Sequence, residues 1–128
     1  MKIGFVGLGQ MGMVMAPHLL CDGWQVTGHD IVTPAALPDG LGFAASLDHL
    51  ADSEVIITML PDGTAVAEVV DRLVTAGCRA MFIDMSSAHP DDSRTLARRL
   101  SMAGLDLVDA PVSGGVSRAR TAELTIMA

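Results

Sequence analysis

This chain has one lysine and two cysteines in 128 residues, and no uninterrupted apolar run as long as the ~20 residues a membrane-spanning helix needs. Each shortage excludes something. Eight basic residues against fifteen acidic ones leave a net charge of −7, which argues against nucleic acid and anionic membrane as partners. The amino terminus, Met1 to Val6, has neither a basic leader region nor a small-residue cleavage site, so no secretion signal is expected. Cys21 and Cys78 lie far apart, in two segments expected to be helical. They are read as buried free thiols of a reducing, cytoplasmic compartment. No His/Cys cluster has zinc-ligand spacing, and no metal is expected. Repeats of fixed period, low-complexity segments and internal linkers are all missing, so one domain is expected over residues 1–128.

What the chain has is apolar residues in short, regularly spaced runs. Half of its residues are hydrophobic and its mean hydropathy is +0.44. That suits a parallel sheet covered on both faces, with some apolar surface left for a partner. Strands are expected at Lys2–Val6, Gln25–His29, Glu54–Leu60, Ala80–Asp84, Leu105–Asp109 and Leu124–Met127. Helices alternate with them. The first, Met11–Leu20, carries Met11, Met15, Leu19 and Leu20 on one face, is in conflict with Pro17, and stops at Gly23. A short helix opens at Ser46 with Asp48 in its first turn, a longer one covers Thr64–Thr75 after the turn Pro61-Asp62-Gly63, and another covers Pro90 to about Ala103. Strands alternating with helices from end to end predict an α/β fold, a doubly wound parallel sheet of Rossmann type. On this reading the domain ends within its sixth strand. His18, His29, His49 and His89 fall on different elements and are read as surface or packing residues.

The stretch Phe5-Val6-Gly7-Leu8-Gly9-Gln10-Met11-Gly12 places glycines at G-x-G-x-x-G spacing between the first strand and the first helix. Gly7 permits the tight turn, Gly9 lets a pyrophosphate approach the backbone, and Gly12 lets helix and strand pack closely. The spacing alone is a weak signal in a chain with 13 glycines, but strand, helix and a following acid supply its context. That acid is Asp30, 18 residues after Gly12 at the end of the second strand, where a carboxylate accepts hydrogen bonds from an adenosine ribose. Ile31, Val32, Thr33 and Pro34 offer no cation for a 2′-phosphate, so NAD is expected over NADP.

The segment Phe5 to Ala16 closely resembles the signature of the β-hydroxyacid dehydrogenases. Three more stretches match that family in its order: Thr58-Met59-Leu60-Pro61, Asp84-Met85-Ser86-Ser87 and Asp109-Ala110-Pro111-Val112-Ser113-Gly114-Gly115. The resemblance implies an NAD-dependent oxidoreductase of small β-hydroxy acids, of the 3-hydroxyisobutyrate or tartronate semialdehyde type. It implies cofactor contacts from Gly7, Leu8, Gly9, Gln10, Met11, Gly12, Asp30, Leu60, Pro61 and Ser87. Ser113, Gly114 and Gly115 are implied to hold a small carboxylic-acid substrate, with Ser113 next to the chemistry. Arg118 and Arg120 follow that loop, while Asp84 and Asp109 are read as loop anchors. Family members continue into a helical domain that carries a catalytic lysine and pairs the subunits, so a homo-oligomer is implied for the full enzyme. This chain stops at Ala128, that helical domain is absent from it, and its one lysine, Lys2, is at the wrong end of the first strand. The 128 residues alone are therefore expected to bind cofactor without turnover. His18 stands where the pattern usually has Asn, and Pro17 is unusual there. Two other readings stay open: a non-catalytic dinucleotide-binding module, and an imine or aldehyde reductase on the same scaffold.

Overall fold

Six short strands lie side by side and run the same way in the computed structural model, which describes residues 1–128. They are β1 (Lys2–Val6), β2 (Gln25–His29), β3 (Gly42–Phe43), β4 (Val55–Thr58), β5 (Met81–Asp84) and β6 (Leu107–Asp109), in the order β3-β2-β1-β4-β5-β6. Ile3 pairs with Val26 on one side and with Val55 on the other. The chain runs outward from β1 through β2 and β3, then crosses back to β4 and runs outward through β6. The carboxyl ends of β1 and β4 therefore form the switch point at which such sheets open a crevice.

Both faces are covered, because successive strand side chains point to opposite sides. Val6, Ile56 and Phe82 pack under α2 (Gly63–Thr75) and α3 (Pro90–Met102), against Val66, Val70, Leu73, Leu96 and Leu100. Ile3, Phe5, Val26 and Ile57 pack on the other face, against Met15 of α1 (Gly12–Met15) and Ala119 of α4 (Gly115–Arg120). Asp62 caps α2 by accepting the Ala65 N–H at 2.9 Å, and Pro90 starts α3 where its missing N–H costs nothing. The doubly wound parallel sheet expected from the pattern is the fold observed.

Four details differ from the sequence expectation. The expected helix Met11–Leu20 is α-helical only over Gly12–Met15 and continues as a 3-10 helix over Ala16–Asp22. Pro17 has no N–H to donate one α-turn back, so the chain tightens there. The sixth parallel strand is β3, whose two residues carry no readable period. The strand expected over Leu124–Met127 exists as β8 (Thr125–Ile126), but it pairs antiparallel with β7 (Val112–Ser113) outside the main sheet. The one helix between β7 and β8 is the six-residue α4, which spans about 9 Å, too little to carry the chain back along the sheet. Finally, both cysteines are free, but Cys21 is exposed on the 3-10 segment while Cys78 is buried in the core.

Candidate functional site

The main cavity, about 650 Å³, opens at the switch point, between the turn after β1, the end of β2 and one face of α2. The turn is built by steric necessity. Gly7 has φ +101° and donates its N–H to His29 O at 2.9 Å. A Cβ on Gly7 would run into the Met59 carbonyl, and one on Gly12 would run into the Gly7 carbonyl. Gly9 is different: no heavy atom lies within 4 Å of where its Cβ would stand. The protein does not need a glycine there, and the space above it belongs to the cavity. Beyond the turn, Met13 N–H bonds to Gly9 O and Met15 N–H to Met11 O, both at 3.0 Å. The N–H groups of Gly9, Gln10, Met11 and Gly12 donate to no acceptor in the protein. Four such amides in succession form a cradle for an anion.

Asp30 is tied into the same loop. Leu8 N–H donates to its Oδ2 at 2.7 Å and Val32 N–H to its Oδ1 at 3.1 Å. Leu8 itself is buried, with its side chain over Gly28, so only its backbone serves the site. Each Asp30 oxygen keeps a lone pair for a further donor such as a ribose hydroxyl.

The opposite wall rests on a buried network. Thr58 Oγ1 donates to Asp84 Oδ1 at 2.8 Å, and Ser86 N–H donates to the same oxygen at 3.0 Å. Ser86 Oγ accepts the Leu60 N–H at 2.8 Å. Asp84, 2% exposed, thus anchors the loop that holds Leu60 and Pro61 at the cavity wall. From there α2 presents Ala65, Glu68, Val69 and Arg72 to the cavity, positions i, i+3, i+4 and i+7 of one helix face. Arg72 donates from Nε to Asp48 Oδ1 at 2.9 Å and from a second nitrogen to Oδ2 at 3.3 Å, and Leu47 lies beside the pair. The hydrogen bond from Arg72 holds the Asp48 carboxyl below its ordinary range. The sequence candidates for the site include none of these α2 residues, although the helical spacing after Pro61 carries their signal, and do not include the Asp48–Arg72 pair, which has none.

Of the sequence candidates, Gly7, Gly9, Gln10, Met11, Gly12, Asp30, Leu60 and Pro61 line this one cavity. Ser87, Ser113, Gly114 and Gly115 do not. Ser87 is exposed on the loop after β5, and its buried neighbour Ser86 makes the structural bond. Ser113, Gly114 and Gly115 are exposed at the junction of β7 and α4, where the Arg118 stem lies over Gly114. Asp109 is exposed at the end of β6. Lys2 sits at the amino edge of the sheet, paired with Asp52 at 2.7 Å. His18 bonds to Ala119 O and His29 to Ala44 O, each at 2.8 Å, and His89 Nδ1 caps α3. No helix is long and apolar enough to cross a membrane.

Unpaired amides suited to phosphates, a carboxylate suited to vicinal hydroxyls and an apolar wall suited to a flat base thus lie around one crevice. Comparison with known proteins agrees with this geometry. Residues 2–128 match the family model described as the NAD binding domain of 6-phosphogluconate dehydrogenase. The mitochondrial 3-hydroxyisobutyrate dehydrogenase of Drosophila melanogaster is 39% identical over 134 residues, covering 98% of this chain and 41% of that protein. The 2-(hydroxymethyl)glutarate dehydrogenase of Eubacterium barkeri is 37% identical, covering 98% of this chain and 44% of that protein. Among solved structures, the Mycobacterium tuberculosis 3-hydroxyisobutyrate dehydrogenase with L-serine superimposes with a TM-score of 0.86 at 34% identity, covering 98% of this chain and 45% of that one. An imine reductase of Streptomyces aurantiacus gives 0.74 at 27% identity, covering 91% and 43%. The chain spans less than half the length of these relatives.

Proposed function

This chain belongs to the β-hydroxyacid dehydrogenase family, as its NAD-binding N-terminal domain, and from that membership we propose that it serves an NAD-dependent dehydrogenase of small β-hydroxy acids. The substrate class is the 3-hydroxyisobutyrate or tartronate semialdehyde type. The observation that carries the reading is the run of unpaired amides from Gly9 to Gly12 beside Asp30. Those residues fit a dinucleotide: the amides hold the pyrophosphate, and the free lone pairs of Asp30 accept the adenosine ribose hydroxyls. The cavity is thus the adenosine half of the site.

Preference for NAD follows from the surroundings of Asp30. Ile31 is 97% exposed and Val32 70% exposed, so the turn beside the ribose offers a 2′-phosphate a carboxylate and two apolar side chains. The nicotinamide half extends the other way, past Ser87 toward Ser113, Gly114 and Gly115. There the chain contributes a hydroxyl and backbone amides for the substrate carboxylate or the reacting hydroxyl. When bound, the nicotinamide accepts a hydride from the hydroxyl-bearing carbon. The one lysine, Lys2, lies at the amino edge of the sheet, paired with Asp52, and is not placed to move the hydroxyl proton. A second reading, an imine reductase, is supported by the likeness to the Streptomyces aurantiacus enzyme.

Fluorescence titration of the 128-residue chain with NADH tests the cofactor claim. Saturable binding that NAD displaces more readily than NADP is expected. No saturable binding, or tighter NADP, overturns it.

A further inference from the structure

The far end of the cavity has a use that pyrophosphate and ribose do not exhaust. Passing outward from the amides and Asp30, the next wall is apolar, made by Leu47, Leu60, Ala65 and Val69. Arg72, one turn beyond Glu68 and Val69 on the same face of α2, is the one guanidinium that lines the cavity. Two bonds to Asp48, 2.9 and 3.3 Å, fix the guanidinium plane. The Arg72 side chain remains 59% exposed, so its plane is held without being covered.

We propose that Arg72 is an adenine-contacting residue: held in plane by Asp48, its guanidinium closes the apolar slot and stacks on the base. This rests on the reading of the cavity as the adenosine half of a dinucleotide site. Guanidinium is planar, weakly hydrated and stacks on aromatic faces, which an ammonium does poorly. The alternative task for a cation here is to bind a phosphate directly. The Asp48 carboxylate already offsets the guanidinium charge, and Glu68 and Asp30 line the same cavity, so a phosphate gains little here. Stacking uses the face of the guanidinium and leaves its edge bonded to Asp48, so the two interactions coexist.

The test compares two ligands that differ only in the base, ADP and ribose 5-diphosphate, titrated into the wild-type chain and into Arg72→Met and Arg72→Lys. Arg72→Met keeps the stem and removes the plane, and Arg72→Lys keeps the charge and removes the plane. In Arg72→Met, ADP is expected to bind about 3- to 30-fold more weakly, while ribose 5-diphosphate changes by less than about twofold. Arg72→Lys should stay closer to Arg72→Met than to wild type for ADP. Both variants should melt like wild type, because the side chain is largely exposed. Unchanged ADP affinity, equal losses for both ligands, or full retention in Arg72→Lys overturns the stacking role. Failure of the wild-type chain to bind either ligand instead overturns the dinucleotide reading on which the proposal rests.

Discussion

The backbone N–H of Leu8 donates to Asp30 Oδ2 at 2.7 Å, joining the glycine turn after β1 to the end of β2. The same carboxylate therefore shapes the turn and faces the cavity. Asp30→Ala is expected to weaken NAD binding by ~1–3 kcal/mol, the usual cost of removing one partner of a charge-assisted hydrogen bond. NADP binding should fall less, since its 2′-phosphate gains from the loss of a like charge. Paired calorimetric titrations measure both. An equal loss for the two nucleotides means that Asp30 acts only by supporting the turn.

The three glycines of the turn predict two different phenotypes. Gly7→Ala and Gly12→Ala place a Cβ against a carbonyl and should lower the melting temperature or prevent folding. Gly9→Val meets open space, so it should melt like wild type and yet lose dinucleotide binding. Thermal melts and NADH titration of the three variants separate these outcomes. Wild-type affinity in Gly9→Val contradicts the phosphate-cradle reading.

Those same residues show why this part of the candidate site is legible in the sequence. A turn that only glycine can make, at fixed spacing between an apolar strand and a helix, leaves a local trace. So does an acid at the end of the next strand. The Asp48–Arg72 pair leaves no such trace, because its partners are 24 residues apart and meet only through the packing of α2 on the segment before β4. Ser86 and Ser87 are adjacent and alike in type, and only burial shows which one bonds to Leu60. β3 is two residues long and has no period, and β8 reads as a strand without saying which strand it pairs with.

Ser86 gives a stability prediction free of any ligand. Ser86→Ala leaves the Leu60 N–H without its acceptor and should cost ~1–3 kcal/mol of unfolding free energy. Ser87→Ala, at an exposed neighbour, should cost less than about 0.5 kcal/mol. Denaturant unfolding of the two variants measures the difference, and equal effects contradict the assigned network.

The two thiols should differ sharply. In the native chain a thiol reagent should label Cys21 and spare Cys78, with both reacting after unfolding. Burial pushes the Cys78 thiol above its ordinary 9.0. The unfolded chain therefore ionises first as pH rises, so this contribution to stability is whole below about 9 and declines above it. Cys78→Ala should flatten that alkaline decline, as read by melting temperature against pH.

A chemical-shift titration of the isotopically labelled chain with ADP-ribose reads directly which part of the molecule holds the adenosine half of the cofactor. The largest shifts are expected at the amides of Gly9, Gln10, Met11 and Gly12 and at Asp30, Val69 and Arg72, with little change at Ser113 to Gly115. Shifts centred on Ser113 to Gly115, or no saturable shifts at all, contradict this expectation.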